Sequence, residues 1–160
     1  MNRRDVIKQL AAISGLACLA PFLPLGKFLT PESGSELQRQ KIGNLNEMPI
    51  GQQVFVVYPR TGDPARDADP FRQFIIVRTG ERSLVGYSRV CIHLWCLISK
   101  SDDVFECPCH GSIYTIEEGF AIRGPAAKQP NRYLPKLLLE IDDNDDVYAV
   151  GVEGEIGYGR

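Results

Sequence analysis

Every histidine of this chain, and all but one of its five cysteines, fall in two short segments. The first reads Cys91-Ile92-His93-Leu94-Trp95-Cys96, the second Cys107-Pro108-Cys109-His110-Gly111-Ser112. Each puts a thiol and an imidazole on one tight loop. Together they offer two thiolates and two imidazoles for metal, with one cysteine left over in each. A structural zinc site would use four ligands and seldom needs six candidates. A thioredoxin-like redox pair needs C-x-x-C beside a βαβ pattern, and a c-type haem needs C-x-x-C-H. Neither is present, because Cys107 and Cys109 have only Pro108 between them. What remains is C-x-H, as Cys91 and His93, followed by C-x-x-H, as Cys107 and His110.

The 160 residues allow one globular domain and an appendage. A formal net charge of -2 gives no sign of the basic stripe expected of a nucleic-acid binder. Past residue 30, fourteen Lys and Arg stand against nineteen Asp and Glu, a difference of -5. Five of those acids crowd Glu140-Ile141-Asp142-Asp143-Asn144-Asp145-Asp146. This reads as a solvated turn between two strands. The competing reading is a docking patch for a cationic partner, since charge steers encounter.

The N-terminus differs in kind. Arg3, Arg4 and Lys8 precede an apolar run from Leu10 to Leu25. As a helix at roughly 1.5 Å per residue, that run reaches about 24 Å. Extended over Val6–Leu29, with Lys8 and Lys27 snorkelling at its ends, it suits a membrane span. Arg3-Arg4-Asp5-Val6-Ile7-Lys8 resembles a twin-arginine export signal. Cleavage after Ala20 would leave Pro21 beside the cut, which is unfavourable, so residues 1–29 read as a retained signal-anchor. The positive flank places the N-terminus in the cytoplasm and the domain on the outer, periplasmic or pseudoperiplasmic side. Residues 30–41, polar with Pro31, Gly34 and Ser35, form a neck.

From residue 42 to 160 the pattern is β. Val54–Tyr58, Phe74–Val77 and Leu84–Tyr87 are short runs of β-branched and aromatic residues. Leu137–Ile141 and Val147–Val150 flank the acidic turn as a hairpin. Pro59 to Pro70 reads as an inserted polar loop, and no amphipathic segment of helical length stands out.

Two sulfurs and two imidazoles are the ligand set of a Rieske [2Fe–2S] centre. The chain resembles a Rieske iron–sulfur protein of the cytochrome bc complex type over about residues 42–152. That resemblance implies an all-β antiparallel sandwich with a small cluster-binding part at about 88–127. It implies Cys91 and Cys107 on one iron, His93 and His110 on the other, and a disulfide between Cys96 and Cys109. Rieske ferredoxins of ring-hydroxylating oxygenases lack that cysteine pair, so its presence selects the high-potential branch. Ser112 and Tyr114 match hydroxyls that hydrogen-bond the cluster sulfur and a ligand thiolate. Gly124-Pro125-Ala126 looks like the proline loop covering the cluster, and Leu94, Gly124 and Pro125 are placed against it. One departure stands out. The family's first loop reads C-x-H-x-G-C, and Trp95 replaces the glycine, as in a variant associated with archaeal members. A tryptophan there implies negative φ or a tolerated strain, with its ring packed on the domain or offered to a partner.

With neutral imidazoles replacing two thiolates, reduction builds up less negative charge and is easier. Iron(III) also lowers the pKa of its histidine ligands, which couples electron and proton uptake at His93 or His110. The resemblance therefore implies a membrane-bound subunit that takes an electron and a proton from quinol. It would work beside a cytochrome b-type subunit and pass the electron to a cytochrome or cupredoxin. The alternatives are the Rieske small subunit of a molybdenum oxidoreductase such as arsenite oxidase, and a freestanding exported carrier.

Overall fold

Among the described residues, short apolar runs separated by Gly, Pro and Asp turns give ten strands, all paired antiparallel. The computed structural model describes residues 39–158. The anchor expected at residues 1–29 lies outside them, and among the described residues no helix is long and apolar enough to cross a membrane. The strands are β1 (Gln40–Asn44), β2 (Gln53–Val57), β3 (Gln73–Gly80), β4 (Ser83–Ser88), β5 (Ser99–Ser101), β6 (Val104–Glu106), β7 (Ile113–Thr115), β8 (Ala121–Arg123), β9 (Lys136–Ile141) and β10 (Asp146–Glu153). Six form a large sheet in the order β1-β10-β9-β4-β3-β2, and four form a small sheet in the order β5-β6-β7-β8. The small sheet is one continuous insert between β4 and β9.

Strand β3 explains how the two parts hold together. Phe74, Ile75, Ile76 and Val77 are all buried, because β3 is covered on both faces. Alternate side chains point to opposite faces. Ile75 and Val77 join a core with Tyr87, Phe105, Tyr114 and Leu134 beneath the small sheet. Phe74 and Ile76 join Val56, Leu137 and Ala149 on the other face. That second cluster brings β2 and β3 against β9 and β10, so the large sheet curls over itself. Its two edges are bridged by Gln40, whose side-chain amide donates to Val57 O at 2.8 Å and accepts from Arg60 N at 2.7 Å.

The neck expectation needs adjusting here. Gln40 and Lys41 belong to β1 and pair with Ala149 and Tyr148. Their polar character reflects an edge strand rather than a linker. The loop between β2 and β3 is polar as expected but carries one short helical turn, α1 (Pro64–Asp67), capped by Asp63. The acidic turn does close the β9–β10 hairpin. Its charges are largely matched: Arg39 pairs with Glu140, Lys41 with Asp146 and Arg82 with Asp145. Asp142 accepts from the Asn144 and Asp146 amides. Lys41 and Asn44 hold the Asp146 carboxyl below the usual carboxylate range. The patch is therefore mostly internal structure.

Candidate metal centre

Two loops project side by side from the small sheet and its junction with β4, and they share one backbone plan. In the first, Cys91 N donates to Cys96 O at 2.8 Å and Trp95 N to Cys91 O at 2.9 Å. In the second, Cys107 N donates to Ser112 O at 2.9 Å and Gly111 N to Cys107 O at 3.0 Å. Both loops turn on a left-handed residue at the same place, Trp95 with φ 60 and Gly111 with φ 66. The twin hydrogen bonds bury Cys91 and Cys107 at the loop bases. Cys96 and Cys109 are joined in a disulfide, with Cα atoms 6.5 Å apart.

That bond narrows the candidate donors. The sulfurs of Cys96, Cys107 and Cys109 lie within 4.8 Å of one another, but the disulfide takes two of them out of play. Cys91 and Cys107 remain free. Burial is the main cause that raises the Cys107 thiol above its ordinary pKa, and the adjacent Cys91 adds to it. A buried thiol that resists ionising is stabilised as thiolate by a bound cation. On the open side, the His93 and His110 rings meet edge-on with centroids 4.9 Å apart. Among the described residues His93 Nδ1 is buried with no hydrogen-bond partner, and an orphaned buried acceptor of this kind is rare without a ligand. Two free thiols at the loop bases and two imidazoles in contact on the same pair of loops are a donor chemistry that fits a [2Fe–2S] cluster.

The surrounding groups behave as a supporting layer. Tyr114 is fully buried, and its hydroxyl lies 3.0 Å from Cys91 Sγ. Burial is the largest cause that pushes its pKa far up, so it stays protonated and has a proton to donate to a Cys91 thiolate. Ser112 Oγ accepts from Ala126 N at 3.2 Å, which leaves its own proton to donate. Gly124 and Pro125 are half-buried and lie against the second loop. A Cβ on Gly124 would sit 2.7 Å from Gly111 O and from Ser112 Cα. Leu94 is exposed at the rim, 61% of its surface open.

Trp95 takes the strained branch of the expectation. A left-handed corner costs an L residue roughly 1–2 kcal/mol. Its ring packs on Phe71 and Tyr158, two residues that no local sequence signal places beside the loop. The clue available was the pairing of Trp95 with Gly111, each four residues after a loop-base cysteine.

Comparison with known proteins agrees with this geometry. The cytochrome b6-f complex iron-sulfur subunit of Volvox carteri chloroplasts is 30% identical over 135 residues, covering 79% of this chain. The chain spans 64% of that relative's length. A putative respiratory nitrate reductase Rieske subunit of Haloferax mediterranei is 24% identical over 187 residues, covering 99% of this chain and 81% of that protein. The soluble domain of Rieske protein II from Sulfolobus acidocaldarius shares the fold, with a TM-score of 0.55 at 23% identity over 81% of this chain and 86% of that one. A family model described as the Rieske [2Fe-2S] domain matches residues 38–140. That stretch takes in both donor loops and the strands beneath them, and by it the chain belongs to the Rieske family, whose domain binds a [2Fe–2S] cluster.

Proposed function

We propose that this chain is the Rieske subunit of a quinol-oxidising, cytochrome bc-type complex, with Cys91, Cys107, His93 and His110 holding the cluster. The observation that carries the reading is the Cys96–Cys109 disulfide between the loops, the mark of the high-potential branch. When bound, the cluster supplies a reversible one-electron centre, in a class spanning about -150 to +300 mV.

The chain's own residues do the rest. Cys91 and Cys107 would bind as thiolates from the buried loop bases. His93 would bind through its buried Nδ1, leaving Nε2 for a proton. His110, an exposed residue, would bind in the same way and leave its Nε2 for a quinol hydroxyl. Half-buried Pro125 and buried Ala126 keep water from the Ser112 side. Residues 1–29 would anchor the chain in the cytoplasmic membrane, residues 30–41 form the neck, and residues 42–160 carry the Rieske domain outside. A cytochrome or cupredoxin would take the electron.

A second reading has its own support: the Haloferax relative, aligned over 99% of this chain, is named for a nitrate reductase. In that setting the head would be fixed on a reductase, with no quinol at His110. Purification of the native chain from mild detergent separates the two. Co-purification of b-type haem is the expected result. Recovery with a reductase and no b-haem overturns the quinol-oxidising reading.

Tyr114→Phe should keep the cluster and lower its potential. The lost hydrogen bond to Cys91 favours the electron-rich reduced state more than the oxidised one. A difference of ~1 kcal/mol between the two states corresponds to ~40 mV for a one-electron couple. Redox titration of the two proteins measures it, and an unchanged or raised potential would show that Tyr114 does not tune the site.

A further inference from the structure

An L residue stays at a left-handed corner when contacts outside the loop over-determine it. Trp95 has three such contacts. Its indole Nε1 donates to Gly157 O at 3.3 Å. Its ring meets Phe71 edge-on at 5.8 Å and Tyr158 at 6.1 Å. Phe71 belongs to the 3-10 turn Pro70–Arg72 ahead of β3, and Tyr158 to the turn that follows β10. Neither segment offers a metal donor. Both converge on the residue directly before Cys96 and two after His93. There is no slack in the contact, since a Cβ on Gly157 would lie 2.7 Å from the indole Nε1 and 2.9 Å from Cδ1.

The loop can pass a displacement on. Trp95 N is tied to Cys91 O, and Cys91 N to Cys96 O, so tilting the indole turns the backbone that carries His93. The second loop has no such side-chain lever, because its corner residue is Gly111. Plain core packing does not describe Trp95 well, since 49% of it remains exposed.

We infer that Trp95 is a positioning residue through which the turn at Gly157 and Tyr158, together with Phe71, sets the shape of the first cluster loop and so tunes the reduction potential. The inference rests on the reading of His93 as a cluster ligand.

The test uses the holoprotein and four variants: Gly157→Ala, Trp95→Gly, the double variant, and Gly51→Ala as control. Gly51 has a similar left-handed φ of 79 with nothing within 4 Å of an added Cβ, so it reports backbone strain alone. Trp95 is the chain's only tryptophan, and its emission reads the indole's surroundings directly. Gly157→Ala should red-shift that emission, alter the EPR line shape and shift the potential, while Gly51→Ala does none of these. In the Trp95→Gly background, adding Gly157→Ala should leave the potential where Trp95→Gly put it. Should Gly157→Ala not accumulate, Tyr158→Ala gives the same comparison, because its ring is 58% exposed. Red-shifted emission with an unmoved potential would overturn the inference, as would an equal shift in the Trp95→Gly background. Failure of the ligand reading shows elsewhere, in a wild-type protein without a Rieske spectrum.

Discussion

Replacing His93 or His110 with alanine is expected to abolish cluster assembly. The chain has two histidines in all, so no other imidazole can take the vacant place. Their rings already face each other, and His93 presents a buried nitrogen without a partner. Iron content per chain should fall to background, with the visible absorbance and the low-average-g EPR signal both lost. Circular dichroism should still report the sheets for His110→Ala, because that side chain is exposed and supports no core. A full Rieske spectrum from either variant would refute the ligand assignment.

Gly124→Ala should be the most damaging substitution outside the donor set. Gly124 has φ 78 and ψ -169, a region that only glycine enters freely, with a cost of order 1–3 kcal/mol for other residues. The new methyl would also meet the backbone of Gly111 and Ser112 at 2.7–2.8 Å, and backbone cannot swing aside as a side chain can. Moving the proline loop away would break the Ala126 N to Ser112 Oγ bond and leave a buried amide unsatisfied. A melting temperature lower by roughly 5–10 °C is expected for a total near 2 kcal/mol or more, with faster loss of cluster colour. Gly62→Ala, at a similar φ but in open space, should cost much less. Equal melting of wild type and Gly124→Ala would remove the proposed contact.

The candidate donors were legible in the sequence because metal chemistry needs particular atoms at close spacing, and only two segments supply them. The strands around Phe74–Val77 and Leu137–Ile141 were legible because β-branched and aromatic runs bounded by turn residues have few other uses. The disulfide pairing came from family resemblance rather than from spacing. The Trp95 environment was not legible at all. Phe71 sits in a polar loop and Tyr158 beyond the last strand, and nothing local says that they meet. The start of β1 was misjudged for a related reason. Gln40 and Lys41 look like linker, and they become strand only through pairing with residues that lie far along the chain.

The placement of the small sheet as a single insert bears on the order in which the molecule can assemble. The second donor loop, the disulfide and the proline loop close contacts between near neighbours in sequence; the disulfide spans 13 positions, and only the Trp95 corner of the first loop waits for Gly157 and Tyr158. Strand β1 must instead find β10, with 105 positions between Lys41 and Asp146. Loop closure over a longer span costs more entropy, and contacts of this kind form slowly. During synthesis the whole metal-binding lobe has emerged before β10 exists to close the base. Most of the part that carries the chemistry can therefore organise itself locally, and the frame beneath it, with the turn that holds Trp95, is finished last.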